Sequence, residues 1–585
     1  MKNTSRPAKY LVSLLALLVL LAATQASLAC TGLYVGKEVS EDGSTIIARS
    51  EDMHPRAAFK RFLVIDRVEN EPGRTYDSPN GFSYPLPATT YKYTSVPEAA
   101  CMEIGTFPAA CANEYGVCVT ATVTGYICAA AKDADPPVEK GNGEAVLAGL
   151  IAATCKTARE GVELIAELME TYGSCEQNIV MIADQKEAWY VEMYTGHQWA
   201  AVKMPDDKVA VYGNEFMLDT IDPKSDDVMY SPDLFSLPEK AGFAVYKEDG
   251  QLDLFRTYAG GLADYANRRT WAGHHLLAPS TAGEYATETK YDLFYSPDKN
   301  VSISDVMALF RYRFEGTDFC PDETGKDDVR VIATETTAEA HIIQVYDKLP
   351  AEVSAVTWLC MANAEHAVYL PISSLVTGAS EAFTKDVLTY GYDDTAASCI
   401  FKQLCTLSEQ DRKLFGQGVR DYWHFVEQRL IAEFPSVIEQ TAKIYETSRE
   451  EAAAYATNYC VTLQEEALND AKRLFKDLLW YMMGTTDTLK HKFDYDTLTM
   501  SKDPVIVAPF EAAVDIKKAG ESLGYAVSLR DNELLFEKDG KTVTASVAAV
   551  SSIVAGETTY KDAVASAYVL DGVLYMPLSF LKSLQ

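Results

Sequence analysis

The segment Cys30-Thr31-Gly32-Leu33-Tyr34-Val35-Gly36 runs as a short apolar strand, turns at Glu41-Asp42-Gly43 and returns as Ser44-Thr45-Ile46-Ile47-Ala48-Arg49. Two β-type runs joined by an Asp/Gly turn predict an antiparallel hairpin. Downstream, β-type runs over 116–124, 178–184 and 188–193 flank a stretch at 143–172 in which Val146, Leu147, Leu150, Ile151, Val162, Ile165, Leu168 and Met169 recur at helical spacing. Strands, then helices, then strands predict a layered α+β domain rather than the βαβ alternation of a parallel sheet.

Further along, 411–434 and 448–483 are long, charged and almost free of glycine and proline, which predicts packing helices within a segment spanning about 408–483. After Gly484 the pattern changes again. Short strands and the turns Arg530-Asp531-Asn532 and Lys538-Asp539-Gly540 mark 493–585 as a small α/β module. Gly520-Glu521-Ser522-Leu523-Gly524 satisfies the G-x-S-x-G pattern of a hydrolase nucleophile elbow. Such an elbow needs a strand before the first glycine and a helix after the last. Here 515–519 reads as the end of a helix and 525–529 as the start of a strand, so Ser522 is set aside.

Upstream of the hairpin, Lys2, Arg6 and Lys9 precede an apolar run over 10–21, and Ser27-Leu28-Ala29 places small residues three and one positions before Cys30. This is the pattern of a secretory signal peptide over 1–29, and it predicts a secreted or extracellular-surface protein. A cysteine directly after a cut has a second fate, lipidation, for which a bacterial signal wants leucine three places earlier; Ser27 stands there. The 585 residues are 48% hydrophobic, enough for a large core, and the 84 acidic against 52 basic residues give a net charge of −32. That excess argues against a groove tracking phosphates, so no nucleic-acid partner is expected. No later stretch approaches the ~18 apolar residues of a membrane span. The 12 cysteines hold no CxxC pair and the eight histidines no HExxH, so neither a metal nor another cofactor is expected.

If the cut falls before Cys30, one residue carries both a thiol and a free α-amine. The thiolate is a strong nucleophile and the amine can be its base. Their ordinary pKa values, about 8.5 and about 7.7 to 8.0, make proton exchange between them nearly thermoneutral. Cys30-Thr31, Asp42-Gly43-Ser44-Thr45 and Ala48-Arg49-Ser50-Glu51-Asp52 resemble the N-terminal-nucleophile (Ntn) cysteine hydrolases of the C69 dipeptidase family, relatives of bile salt hydrolases and penicillin V acylases. The resemblance continues in family order through Asn113-Glu114-Tyr115-Gly116-Val117, Val211-Tyr212-Gly213-Asn214-Glu215-Phe216, Tyr265-Ala266-Asn267-Arg268-Arg269-Thr270-Trp271 and Ala367-Val368-Tyr369-Leu370-Pro371.

The resemblance implies a domain over 30–484 built as a four-layer αββα sandwich followed by the helical segment, and a catalytic set. In that set Cys30 is nucleophile and base, Arg49 lowers the thiol pKa, Asp52 anchors the ammonium, and Asn214 donates to the oxyanion. A second oxyanion donor is expected near Val123 and Thr124, and Arg269 or its neighbour Arg268 completes the charge network. Taken singly, Arg49 and Asp52 also read as a surface ion pair, Asn214 as a turn residue and the tandem arginines as solvated. The histidines at 54, 197, 274, 275 and 341 receive no role. Cysteines 101, 111, 118 and 128 crowd one region, where disulfides or a second reactive thiol are both open.

The module at 493–585 has its own resemblance, through Thr542-Val543-Thr544-Ala545 and Gly572-Val573-Leu574-Tyr575-Met576-Pro577-Leu578, to copper amine oxidase N-terminal-like stalk domains. It lacks a histidine cluster for copper, so a spacer or a contact with the cell wall or surface is expected. The expected activity is that of a secreted bacterial cysteine peptidase acting on small dipeptides through an acyl-enzyme. The alternatives are the same machinery on a conjugated bile acid, penicillin V or an N-acyl amino acid, and a lipid-anchored binding protein without activity.

Overall fold

The computed structural model describes residues 30–53, 59–98, 107–123, 125–387, 391–485, 493–494, 499–500, 509–530, 533–546, 552–555, 558–561, 568–570 and 573–582. The segment 1–29, expected to be a signal peptide, lies outside them. The opening hairpin forms as its pattern predicts: Thr31–Val35 pairs antiparallel with Thr45–Asp52, with Gly32 opposite Arg49. It sits inside a six-stranded sheet, ordered Val209–Tyr212, Thr31–Val35, Thr45–Asp52, Thr337–Val345, Ala355–Met361 and Tyr369–Ser373. An eight-stranded sheet stacks on it through Cys118–Val123 and Asn178–Ala183, which pack against Thr45–Asp52.

Strand alternation sorts the side chains between layers. Along Asn178–Ala183, Ile179, Met181 and Ala183 enter the core between the two sheets, while Val180 and Ile182 enter a second core under the helices. Both faces are covered, so the strand is apolar throughout. The covering helices are Glu144–Thr154, buried over most of its surface, and Ala158–Thr171, capped by Thr157, whose hydroxyl accepts from Glu160 N at 3.1 Å. On the far side of the six-stranded sheet lie Asp264–Leu277, Ala397–Ser408, Gln417–Tyr445 and Arg449–Thr485. The result is the αββα sandwich. Helix Asp264–Leu277 approaches strand Val209–Tyr212 so closely that a Cβ on Gly273 would fall 2.3 Å from Val211. Only glycine permits that packing.

The helix predicted to end at 434 runs on through Pro435 to Tyr445. Proline removes one internal hydrogen bond, but Phe434, Val437 and Ile438 are buried on both sides of it, and Phe434 lies edge-on to Trp358 at 5.7 Å. Tertiary packing overrides the local break. In the C-terminal stretch Ser522 ends helix Ile516–Ser522 and donates to Ala519 O at 2.7 Å, and strand Ala526–Arg530 follows. This is the reverse of a nucleophile elbow. Lys518 pairs with Glu466 at 2.8 Å and Arg473 lies over the Tyr575 ring at 4.7 Å, so this stretch leans on the long helices. Among the described residues, no helix is long and apolar enough to cross a membrane.

Candidate active site

Cys30 leads directly into the first strand, where it is 4% exposed. Across the hairpin, Arg49 points from the six-stranded sheet into the space between the sheets. Its Nη1 donates to Cys30 Sγ at 3.2 Å, its Nε to Thr120 Oγ1 at 2.9 Å and its Nη2 to Ala109 O at 3.1 Å. Carboxylates of Glu51 and Glu144 lie 3.4 and 3.5 Å from the guanidinium, and Lys60 Nζ donates to Glu51 at 2.9 Å. Thr120 Oγ1 also meets His341 Nε2 at 3.0 Å, while His341 Nδ1 faces Glu339 at 3.0 Å. The register sets His341 opposite Arg49 on the neighbouring strand.

Asp52 is buried, and strand alternation turns it away from Arg49. It accepts from Thr337 Oγ1 at 2.5 Å and from Arg330. A surface Arg49–Asp52 pair is therefore not what forms. On the other side of Cys30, Arg269 donates to the Cys30 carbonyl, to Thr31 Oγ1 at 3.1 Å and to Asn214 Oδ1 at 2.9 Å. The segment carrying Asn214 is pinned by buried Glu192, which accepts from Leu218 N at 3.2 Å, from Met217 N and from the Tyr190 hydroxyl at 2.9 Å. Gly32 is required here, because a Cβ on it would sit 2.2 Å from the Tyr212 ring opposite.

The structure thus gathers Cys30, Arg49, Asn214 and Arg269, with Asp52 close behind. Arg268 turns away from them. Adjacent residues on a helix point about 100° apart, and Arg268 pairs with Asp264 and lies over the Phe319 ring at 4.7 Å. Val123 ends the strand Cys118–Val123, and Thr124 lies outside the described residues. Missed by sequence reading were Glu51, Lys60, Thr120, Glu144, Arg330, Glu339 and His341. His341 in particular, left without a role, sits two hydrogen bonds from Cys30's arginine partner.

Burial pushes the Cys30 thiol up to about 11; Arg49 pulls it down, and Glu144, Glu51 and Asp52 push it further up. The expected Arg49 effect has the right sign but is smaller than desolvation. Burial likewise holds Glu144 at about 8 in spite of Arg49. Burial also raises Glu51, but Lys60 and Arg49 overcome it and leave that carboxyl below its ordinary range. Arg269 falls to about 10 through burial and the nearby Arg330.

The eleven described cysteines are all free, and Cys101 lies outside the described residues. Cys111 and Cys118 cannot bridge, since Val119 faces Cys111 and Cys118 faces Ala112, which puts the two thiols on opposite faces of their sheet. Burial pushes Cys111 up to about 12, which leaves it an unreactive thiol. Among the described residues no group of three or more His, Cys, Asp or Glu could hold a metal ion.

This arrangement sets a buried cysteine at the start of a sandwich strand, with one arginine on its sulfur and another on its carbonyl. The chain belongs to peptidase family C69, whose family model matches residues 29–424. It is 34% identical over 442 residues to a probable dipeptidase B of Streptococcus pyogenes serotype M1, covering 73% of this chain and 87% of the relative. It is 30% identical over 477 residues to a probable dipeptidase B of Lactococcus lactis, covering 80% and 98%. Among solved structures it aligns with a mutant of a conjugated bile acid hydrolase from Clostridium perfringens at TM-score 0.26 and 11% identity, over 59% of this chain and 92% of that one. That last likeness is too remote to bear on the reaction.

Proposed function

We propose that the chain is a secreted dipeptidase that works through a thioester on Cys30, exposed as the first residue by cleavage after Ala29. The observation that carries this reading is the 3.2 Å contact from Arg49 Nη1 to Cys30 Sγ, with Arg269 holding the carbonyl of the same cysteine. Family membership and two relatives named probable dipeptidases support the choice of substrate.

A thiol pushed up to about 11 needs a base at hand. The α-amine, with an ordinary pKa of about 7.7 to 8.0, takes the Sγ proton and becomes an ammonium, for which the Asp52 carboxylate is the nearby anchor. The thiolate, held by Arg49, attacks the amide carbonyl carbon. The side-chain amide of Asn214, oriented by Arg269 on its Oδ1, and a backbone donor near Val123 receive the oxyanion. As the tetrahedral species collapses, the C–N bond breaks and the leaving amine takes the proton from the ammonium. Water then gives a proton back to the amine and attacks the thioester; the C–S bond breaks to release the acid, and the departing thiolate takes the proton from the ammonium. Each step conserves protons and uses no co-reactant beyond water. The module at 493–585 would hold the enzyme at a cell surface.

Cys30→Ala is expected to lose all dipeptide hydrolysis and Cys30→Ser most of it. Intact mass and N-terminal sequencing of protein from its native host should give a free Cys30. A diacylglycerol-blocked or upstream N-terminus removes the base, and wild-type turnover by Cys30→Ala removes the nucleophile.

A further inference from the structure

The row Glu339, His341, Thr120, Arg49 lies wholly inside the protein, none of its members more than 2% exposed. Its hydrogen bonds can be assigned by counting. The Thr120 hydroxyl has one hydrogen and two lone pairs, and the Arg49 Nε–H at 2.9 Å can only donate, so it takes one lone pair. Glu339, 3.0 Å from His341 Nδ1, accepts a hydrogen there, and with the imidazole neutral Nε2 accepts the Thr120 hydrogen at 3.0 Å. Ala109 O, also within 3.1 Å of Thr120, is still supplied by Arg49 Nη2. Every group is satisfied without a buried imidazolium. All three bonds then point the same way, from Arg49 through Thr120 and His341 to Glu339, so each polarises the next and strengthens the hold on Nε.

This is the order of a hydroxyl–imidazole–carboxylate triad, but the hydroxyl faces a guanidinium and is shielded from substrate. A second nucleophile is therefore not what it makes. We propose that Thr120, His341 and Glu339 are positioning residues that fix the Arg49 guanidinium against the Cys30 sulfur. The inference rests on Cys30 being the nucleophile of the reaction above. Glu51 and Glu144 hold the Nη atoms and Ala109 O one of them, but among the described residues only Thr120 takes Nε, so this row sets the in-plane rotation that aims Nη1 at Sγ.

The test reads the thiol directly, by the rate at which iodoacetamide alkylates Cys30 in the full processed chain, followed by peptide mass spectrometry across pH. The groups that face the sulfur in that titration are Arg49, Glu144, Glu51 and Asp52, with Arg269 on the carbonyl of Cys30. Thr120→Val should slow alkylation roughly tenfold near neutral pH and move its pH profile upward, because a hydrogen bond to a charged group is lost. Dipeptide kcat should fall in parallel with KM little changed, and Thr120→Ser should restore both. Glu339→Gln keeps volume but can donate to Nδ1, reversing the row, and should slow alkylation in the same direction by a few fold. Folded Thr120→Val and Glu339→Gln proteins that alkylate Cys30 at the wild-type rate and pH profile would overturn the proposal, and so would a Thr120→Ser no better than Thr120→Val. Should Thr120→Val fail to fold, Glu339→Gln decides alone. Alkylation needs no peptide substrate, so an enzyme that fails to cleave dipeptides sinks the functional reading and leaves this test standing.

Discussion

Cys30 lies between two buried arginines that are held in opposite ways. Arg49 meets two carboxylates, Glu51 and Glu144, besides the sulfur; burial draws its pKa down, but Cys30, Glu51, Glu144 and Glu339 more than reverse this and keep it above its ordinary value. Among the described residues, Arg269 donates to neutral oxygens: the carbonyls of Cys30 and Tyr265, the Thr31 hydroxyl and the Asn214 amide. Desolvation and the nearby Arg330 leave it at about 10, still charged at neutral pH. The first arginine belongs to a charge-balanced cluster and governs the electrostatics of the thiol. The second is a hydrogen-bond hub that governs where the Cys30 carbonyl and the Asn214 amide sit.

Replacing each arginine by glutamine should separate these roles. Arg49→Gln leaves the buried Glu51 carboxylate with Lys60 alone, and we expect about 3–5 kcal/mol of lost stability together with slowed Cys30 alkylation. Arg269→Gln loses hydrogen bonds to neutral partners, for which about 1–3 kcal/mol is expected, with alkylation nearly intact and kcat reduced. Denaturant melts and thiol kinetics check both, and equal losses in the two variants would erase the contrast.

A smaller effect sharpens it through pH. Glu144 titrates near 8 in the folded protein and near the ordinary carboxylate value when unfolded, so between those values the native state binds more protons and stability falls as pH rises. Glu144→Gln should remove that fall, gaining on the wild type by about 1 kcal/mol or more from pH 5 to pH 8 in urea melts. A gain that stays flat from pH 5 to pH 8 would show that Glu144 is ionised throughout. The smallest effect is expected at Arg268. Its i,i+4 pair with half-exposed Asp264 is worth about 0.3–0.5 kcal/mol, and Arg268→Ala should leave kcat/KM within about twofold of wild type.

The hairpin at Cys30, the helices over 143–172 and the strands that flank them were legible because their periodicity is local. The strands Thr337–Val345, Ala355–Met361 and Tyr369–Ser373 were not, because nothing near them in sequence announces that they complete a sheet begun at Thr31. The site divides along the same line. Cys30, Arg49, Asp52, Asn214 and Arg269 stand in recognisable motifs, whereas Lys60, Glu144, Glu339 and His341 become partners of Arg49's cluster only through packing of distant strands and a helix end. The choice between Arg268 and Arg269 needed the helix as well, since only its rotation decides which of two adjacent side chains faces the sheet.

The pairing of Thr45–Asp52 with Thr337–Val345 joins residues as far apart as Ser44 and Gln344, whose side chains bond at 3.2 Å across 300 residues. Closing a loop of that length is slow and must precede the contacts that reward it. His341 and Thr337, which brace Arg49 and Asp52, arrive on that late strand. An N-terminal stretch emerging from a ribosome therefore carries its cysteine and arginine with no assembled site around them. The newborn chain stays an inert thread until most of the domain has followed.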